Sequence, residues 1–364
     1  MNETKKFSFP LEQKITNDVL SKSFWKCLYR SAEPQMHYWI LLPNNVSPIR
    51  ITPEKNNNTT IIGTYATNDD SPYLEVEVLY EYCRYEINAS DWALKKIKSM
   101  GDTVLDYKII EGKSDGKYID ALTCSQFENG DEIISRVTVQ KDSVPKGDGV
   151  NLFLVRASCL SKDYESLAYE ILQIITNWDL LNKSEWQLAE SIKPFIYPTE
   201  NKVEFYFPYS WYVAYDPEKI KTESPRFIFK HEHDSDNISI INVYFYKNAY
   251  INKYETIFNR AFERLKTLEG FTYKLNEFET IDIDKIKNPF IDAMWITEGL
   301  FESENENYLA FLKIIIIKIK EKWYYFELLG PIPSPDNYYW EISKRCFELM
   351  IDSFNNLDFE KKDV

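Results

Sequence analysis

Chemistry in this chain would have to start from very few histidines. There are three, His37, His231 and His233. Two of them fall in the run His231-Glu232-His233-Asp234. On an extended strand residues i and i+2 point the same way, so both imidazoles could reach one metal ion, with Asp234 or Asp236 as a third ligand. No other His or Cys is spaced to complete that site, and the run reads more simply as a polar strand end and turn. No metal and no cofactor is expected. The five cysteines, Cys27, Cys83, Cys124, Cys159 and Cys346, are scattered, odd in number and without a Cys-x-x-Cys. That usage fits reduced, mostly buried thiols in a cytoplasmic protein. Cys124 and Cys159 lack a local histidine that would make either a nucleophile. Carboxylates are abundant, but none stands out from a solvated face. Asp120 and Asp292 each precede an apolar stretch and are expected to bond nearby backbone groups. The Gly-x-Gly-x-x-Gly phosphate loop does not occur. No residue cluster names a reaction, and the chain is expected not to be an enzyme.

Composition narrows the partners. The net charge of the 364 residues is −14. A nucleic-acid binder needs Lys and Arg to displace counterions from phosphates, and here Lys95-Lys96 and Lys318, Lys320 and Lys322 are isolated. Nucleic acid is therefore excluded as a partner. Met1–Pro10 carries two lysines but no apolar core follows, so no signal peptide is expected. The most apolar run, Tyr308–Ile319, is interrupted by Lys313 and Lys318 and is too short for a spanning helix, so no membrane insertion is expected. Hydrophobic residues make up 44% and aromatic residues 16% of the chain, enough for two cores with aromatic side chains to spare.

The elements that would position any site come in two similar series, residues 40–180 and 205–356. Leu42-Pro43 is followed by a turn-rich stretch and the strand-like Tyr73–Leu79; Phe207-Pro208 is followed by a similar stretch and Ile240–Tyr246. Ile119-Asp120-Ala121-Leu122 resembles Ile291-Asp292-Ala293-Met294. Each series then offers strands and a closing helix, Tyr164–Trp178 and Tyr338–Phe354. A repeat of this length is a duplicated domain and not a solenoid unit. The expected division is an N-terminal extension at 1–36, a first domain at 37–181, a docked linker at 182–202, a second domain at 203–357 and a charged tail at 358–364. Within the extension, Leu20–Tyr29 reads as a short helix with Trp25 and Leu28 on one side, an arm or lid with no counterpart. Glu185–Ile192 reads as one or two helical turns. Gly101 ends a helix over Asp91–Met100, and Asn129-Gly130 marks a hairpin. Lys253–Leu268 is an amphipathic helix, with Ile257, Ala261, Phe262, Leu265 and Leu268 at helical spacing before Gly270. The order of strands, helix, consecutive strands and helix predicts an α+β protein, two tandem copies of an antiparallel sheet with packed helices.

That plan resembles the PsbP-like sandwich, shared by DcrB-like proteins and by the Eag-type chaperones of type VI secretion effectors. The residues that carry the resemblance are an opening strand ending in proline (Phe207-Pro208-Tyr209-Ser210-Trp211, and Leu42-Pro43), a mid-domain helix, and a final strand and helix ending in an apolar residue (Trp178; Ser353-Phe354). It spans nearly the whole chain after residue 36 in order and spacing, without a diagnostic motif. Eag-type chaperones pair as single domains, so the resemblance implies a monomer acting as a covalent pseudo-dimer.

One contrast points to a partner surface. Glu132–Gln140 alternates Ile133, Ser135, Val137 and Val139 against Ile134, Arg136, Thr138 and Gln140, as in a half-exposed strand. Tyr308–Ile319 is apolar on both sides: Ile315 and Ile317 on one, Ile314 and Ile316 on the other. Trp295, Trp323 and Tyr325 lie on its expected neighbours. One helix covers one face of a sheet, so the second face is expected to meet a partner through Trp295, Ile314, Ile315, Ile316, Ile317, Trp323 and Tyr325. The function this implies is a protein-binding adaptor or chaperone that shields an apolar segment of a secreted effector, such as apolar helices. The alternatives are an accessory subunit of a secretion or other large assembly, and an immunity-type inhibitor of a toxin.

Overall fold

In the computed structural model the described residues are 7–56, 59–68, 72–111, 117–126, 130–197, 203–214, 225–231, 239–246, 253–266, 271–303, 309–334 and 338–356. The chain divides into two units, Met1–Ala189 and Glu190–Val364. The first contains α1 (Asn17–Ser23), β1 (Phe24–Tyr29), β2 (Tyr38–Pro43), β3 (Val46–Arg50), β4 (Glu54–Asn56), β5 (Thr59–Thr67), β6 (Leu74–Cys83), α2 (Ala89–Ser99), β7 (Thr103–Glu111), β8 (Lys117–Gln126), β9 (Glu132–Ser143), β10 (Val150–Leu160), α3 (Tyr164–Thr176) and β11 (Trp178–Leu180). The second contains β12 (Ile192–Tyr197), β13 (Val203–Pro208), β14 (Trp211–Ala214), β15 (Arg226–His231), β16 (Ile240–Tyr246), α4 (Tyr254–Lys266), β17 (Phe271–Leu275), β18 (Glu279–Ile281), β19 (Ala293–Ser303), β20 (Leu309–Ile319), β21 (Lys322–Pro331), α5 (Tyr339–Asp352) and β22 (Asn355–Asn356). Every strand pairing is antiparallel in the larger sheets, and the protein is α+β.

The two units share one strand order. The first unit has a small sheet β1-β2-β11 and a large sheet β3-β5-β6-β10-β9-β8-β7, with β4 added on β5. The second has β12-β13-β22 and β14-β15-β16-β21-β20-β19-β17, with β18 added on β19. Registers agree as well as order. Phe24 pairs with Pro43 and Tyr29 with Tyr38; Ile192 pairs with Pro208 and Tyr197 with Val203. In each unit the small sheet and the closing helix, α3 or α5, cover one face of the large sheet and form its main core. The mid-domain helix, α2 or α4, packs against large-sheet strands as a separate layer.

Local chemistry explains several boundaries. α2 stops where Gly101 takes φ +85°, a left-handed conformation that an L side chain resists. The β8–β9 connection passes through Gly130 at φ +87°, the second residue of the expected hairpin signal; Asn129 lies outside the described residues.

The N-terminal region differs from the expectation of an unmatched arm. Phe24–Tyr29 is a strand and not part of a helix, and it is the register counterpart of Ile192–Tyr197. Alternation decides it, because Cys27 and Tyr29 enter the core while Lys26 and Leu28 do not. Phe7 meets Tyr164 edge-on at 5.8 Å and Ser8 bonds Glu165, so this stretch lies along α3. The residues expected as a linker hold β12, an integral strand of the second unit, and Glu185–Ile192 contains no helical turn. The likeness of Ile119–Leu122 to Ile291–Met294 is also not a register match. Lys117 opens β8 and Ala293 opens β19, so Ile119 lies inside its strand while Ile291 and Asp292 precede theirs.

Candidate functional site

The apolar set expected to face a partner is buried within the second unit, apart from the half-buried Trp295. Ile315 and Ile317 belong to the core under α5, with Tyr324, Phe347 and Phe354. Ile314 and Ile316 belong to a second core with Trp323 and Tyr325, which includes Ile257 of α4 and has Tyr254 and Phe258 packed against it. Trp295, half-buried, is stacked between Tyr254 at 5.1 Å and Trp323 at 5.4 Å. The two-faced pattern thus has an internal cause: α5 packs on one face of the large sheet and α4 on the other, and α4 supplies the second cover. The expectation of an open sheet face at these seven residues is corrected accordingly. The side chains of Ala261 and Leu265, and residues Leu268 and Gly270, lie outside the described residues.

The contrasting strand of the first unit is not half-open either. Arg136, on its supposedly wetter side, is fully buried. Its guanidinium donates to both carboxylate oxygens of Asp120, Nε at 2.9 Å and Nη2 at 2.7 Å, and lies over the Phe9 ring at 4.5 Å. Asp120 therefore serves a side chain and not backbone groups. Asp292 does accept from a backbone amide, that of Lys320. The position of Arg136 on β9, opposite Ala157, matches Lys313 on β20, opposite Leu328. Lys313 is also buried and pairs with Glu298 at 2.6 Å.

A second polar rung recurs in both copies, half-buried in the first unit and buried in the second, and residue spacing gave no sign of it. In the first unit Glu77 on β6 pairs in register with Arg156 on β10. Arg156 also reaches Asp102 at 3.2 Å and Ser135 at 3.1 Å. Burial pushes the Glu77 carboxyl up, and Arg156 draws it back down in part. In the second unit the same rung is Asn242 and Glu327. There Asn242 donates to Glu327 at 2.8 Å and accepts from Arg226 at 2.8 Å. These polar groups are satisfied inside the fold, which is how buried polar groups persist.

His231 is buried and edge-on to Trp211 at 5.1 Å; His233, Asp234 and Asp236 lie outside the described residues. Among the described residues no group of three His, Cys, Asp or Glu is gathered to hold a metal ion. Burial raises the thiols, Cys83 and Cys124 to about 11 and Cys159 to about 12, so each is held as the unreactive thiol. Gly112-Lys113-Ser114-Asp115-Gly116 does have Gly-x-Ser-x-Gly spacing. It connects the antiparallel strands β7 and β8, however, whereas a nucleophile elbow joins a strand to a helix; these five residues lie outside the described ones. Among the described residues no helix is long and apolar enough to cross a membrane.

Two surface features remain. The first unit holds a cavity of about 300 Å³ lined by residues that include Tyr118, Gln140, Asp142, Lys183, Glu185 and Trp186. The outer faces of the two small sheets carry apolar side chains at matching places. Leu28, opposite Trp39, and Ile196, opposite Glu204, are each 53% exposed. Leu41 lies half-buried near Leu28, and Tyr206 near Ile196. Both strands must alternate to fill the core, and the outward places could have been polar.

No family model matches the chain, and no curated protein matches it. Among solved structures it is similar to LpqN, described as involved in cell envelope biogenesis of Mycobacterium tuberculosis. The identity is 9% and the TM-score 0.31, over 46% of this chain and 96% of that one. A likeness of that degree carries no argument about what this chain does.

Proposed function

We propose that the chain is a non-enzymatic protein-binding adaptor or chaperone of the cytoplasm, each of whose small sheets can hold an apolar segment of a protein partner on its outer face. The observation that carries this reading is the repeated exposed apolar position, Leu28 in one unit and Ile196 in the other, each at the same register place of an edge strand. Exposed apolar side chains scattered singly need no explanation, but the same exposed position kept in both copies of a duplicated fold suits an apolar ligand on each small sheet. Five free thiols fit a reducing compartment. By the resemblance to Eag-type chaperones, the partner would be an effector with apolar helices. The test is co-purification from the native cell with Leu28→Asp, Ile196→Asp and the double variant. Both positions are exposed, so unfolding free energy should change by no more than about 0.5 kcal/mol. The double variant should lose the partner that the parent retains. Retention of the same partner by a folded double variant would remove this reading.

A further inference from the structure

β7 is the terminal strand of the first unit's large sheet, paired with β8 on one side and with no described strand on the other. It is nine residues long. Leu105, Tyr107 and Ile110 are 45%, 50% and 44% exposed. Open edges of this kind invite pairing with another chain. The sequence of this one, Thr103-Val104-Leu105-Asp106-Tyr107-Lys108-Ile109-Ile110-Glu111, complements itself when reversed about Tyr107. Two copies laid antiparallel would set Asp106 opposite Lys108, Lys108 opposite Asp106, Leu105 opposite Ile109 and Val104 opposite Ile110. Opposite charges facing across a ladder are favourable and like charges are not. Asp106 Oδ1 accepts from the neighbouring Tyr107 amide at 2.8 Å, and Lys108 of a second copy would compete for that carboxylate. The bulge between Val104 and Asp106 interrupts the outer pairings at Leu105 and Val104, so the three central positions, Asp106, Tyr107 and Lys108, carry the contact.

We propose that two copies of this chain associate through β7, antiparallel and with Tyr107 on the two-fold axis, so that their large sheets join into one. The matching edge strand of the second unit, β17, reads Phe271-Thr272-Tyr273-Lys274-Leu275 and has no charge complement about its centre. A self-complementary edge of this kind gives an isologous contact that closes at two copies and does not propagate. This replaces the expectation of a monomer and does not depend on the small-sheet surface.

The test is sedimentation equilibrium of the full chain over a concentration series, with circular dichroism to verify folding. The parent should show a concentration-dependent dimer. Asp106→Lys and Lys108→Asp each place like charges opposite one another twice across the axis, and each should weaken the dimer by about tenfold or more. The exchanged variant, Asp106→Lys with Lys108→Asp, restores opposite charges and should recover the dimer to within a few-fold of the parent. A parent that stays monomeric throughout, including one whose β7 takes up an unrelated extended segment, overturns the proposal. So does a dimer indifferent to the single reversals, or an exchanged variant no better than they are.

Discussion

Asp120 and Arg136 illustrate how a residue's role depends on a partner far away in sequence. Nothing near Asp120 along the chain calls for a charge, and the nearest available groups are backbone amides. Its actual partner lies across the ladder, sixteen residues on, in a site that excludes water. Removing one member of such a pair strands the other, so Asp120→Ala should cost about 3–5 kcal/mol in chemical unfolding. Asp120→Leu combined with Arg136→Met should recover most of that loss, because a buried ion pair often stabilises little more than an apolar replacement. Glu170 on α3 is the opposite case. Burial alone pushes its carboxyl up. A carboxyl raised in the folded state binds its proton more tightly there than when unfolded. Its favourable contribution is therefore full below the ordinary glutamate range and is lost as pH rises through the folded value. Glu170→Gln should accordingly raise the melting temperature at neutral pH, and the gain should vanish towards pH of about 4.

At the scale of elements, the central question was what covers β20. Its apolar character on both sides was legible from Tyr308–Ile319, and so was the amphipathic helix that became α4. The link between them was not, because a helical face announces that it must be buried without naming what it packs on. With α4 on one side and α5 on the other, both parities are interior. Ile316→Ala and Ile317→Ala should each destabilise the second unit by about 2–5 kcal/mol, since each leaves a cavity in a packed core. If β20 presented one parity to a partner, only one of the two would carry that cost; urea unfolding of the two variants separates the cases. β1 teaches a related lesson. Leu20–Tyr29 has the composition of either element, and pairing with β2 made it a strand from Phe24 onward. Tertiary pairing routinely overrides so weak a local preference.

For the molecule as a whole, the duplication governs where the chain can be cut. The strand Ile192–Tyr197 supplies Phe195 and Tyr197 to the second core, where Phe195 contacts Phe205, Phe227 and Phe229 at 4.9, 4.8 and 5.3 Å. A fragment of residues 190–364 should unfold cooperatively on its own. A fragment of residues 203–364, which begins where the sequence reading placed the second domain, lacks this strand and should show exposed apolar surface by dye binding and little cooperativity. Equal cooperativity in the two fragments would mean that β12 is dispensable to the second unit.

The sequence alone determined the α+β class, the duplication and most strand and helix positions, because each rests on short-range patterns: alternation, helical spacing, glycine at left-handed turns, and a shared order of elements. The expectation that nucleic acid is not a partner rests on composition, since few clustered cations can neutralise phosphates. Only the tertiary structure decided which faces are closed. The side of β20 that looked free is covered by α4, the side of β9 that looked wet is sealed by Arg136 and Asp120, and the segments that looked like an arm and a linker each contribute a strand to a core. Burial depends on what approaches from elsewhere in the chain. A sequence pattern specifies that a surface is apolar, and the fold specifies what lies on it.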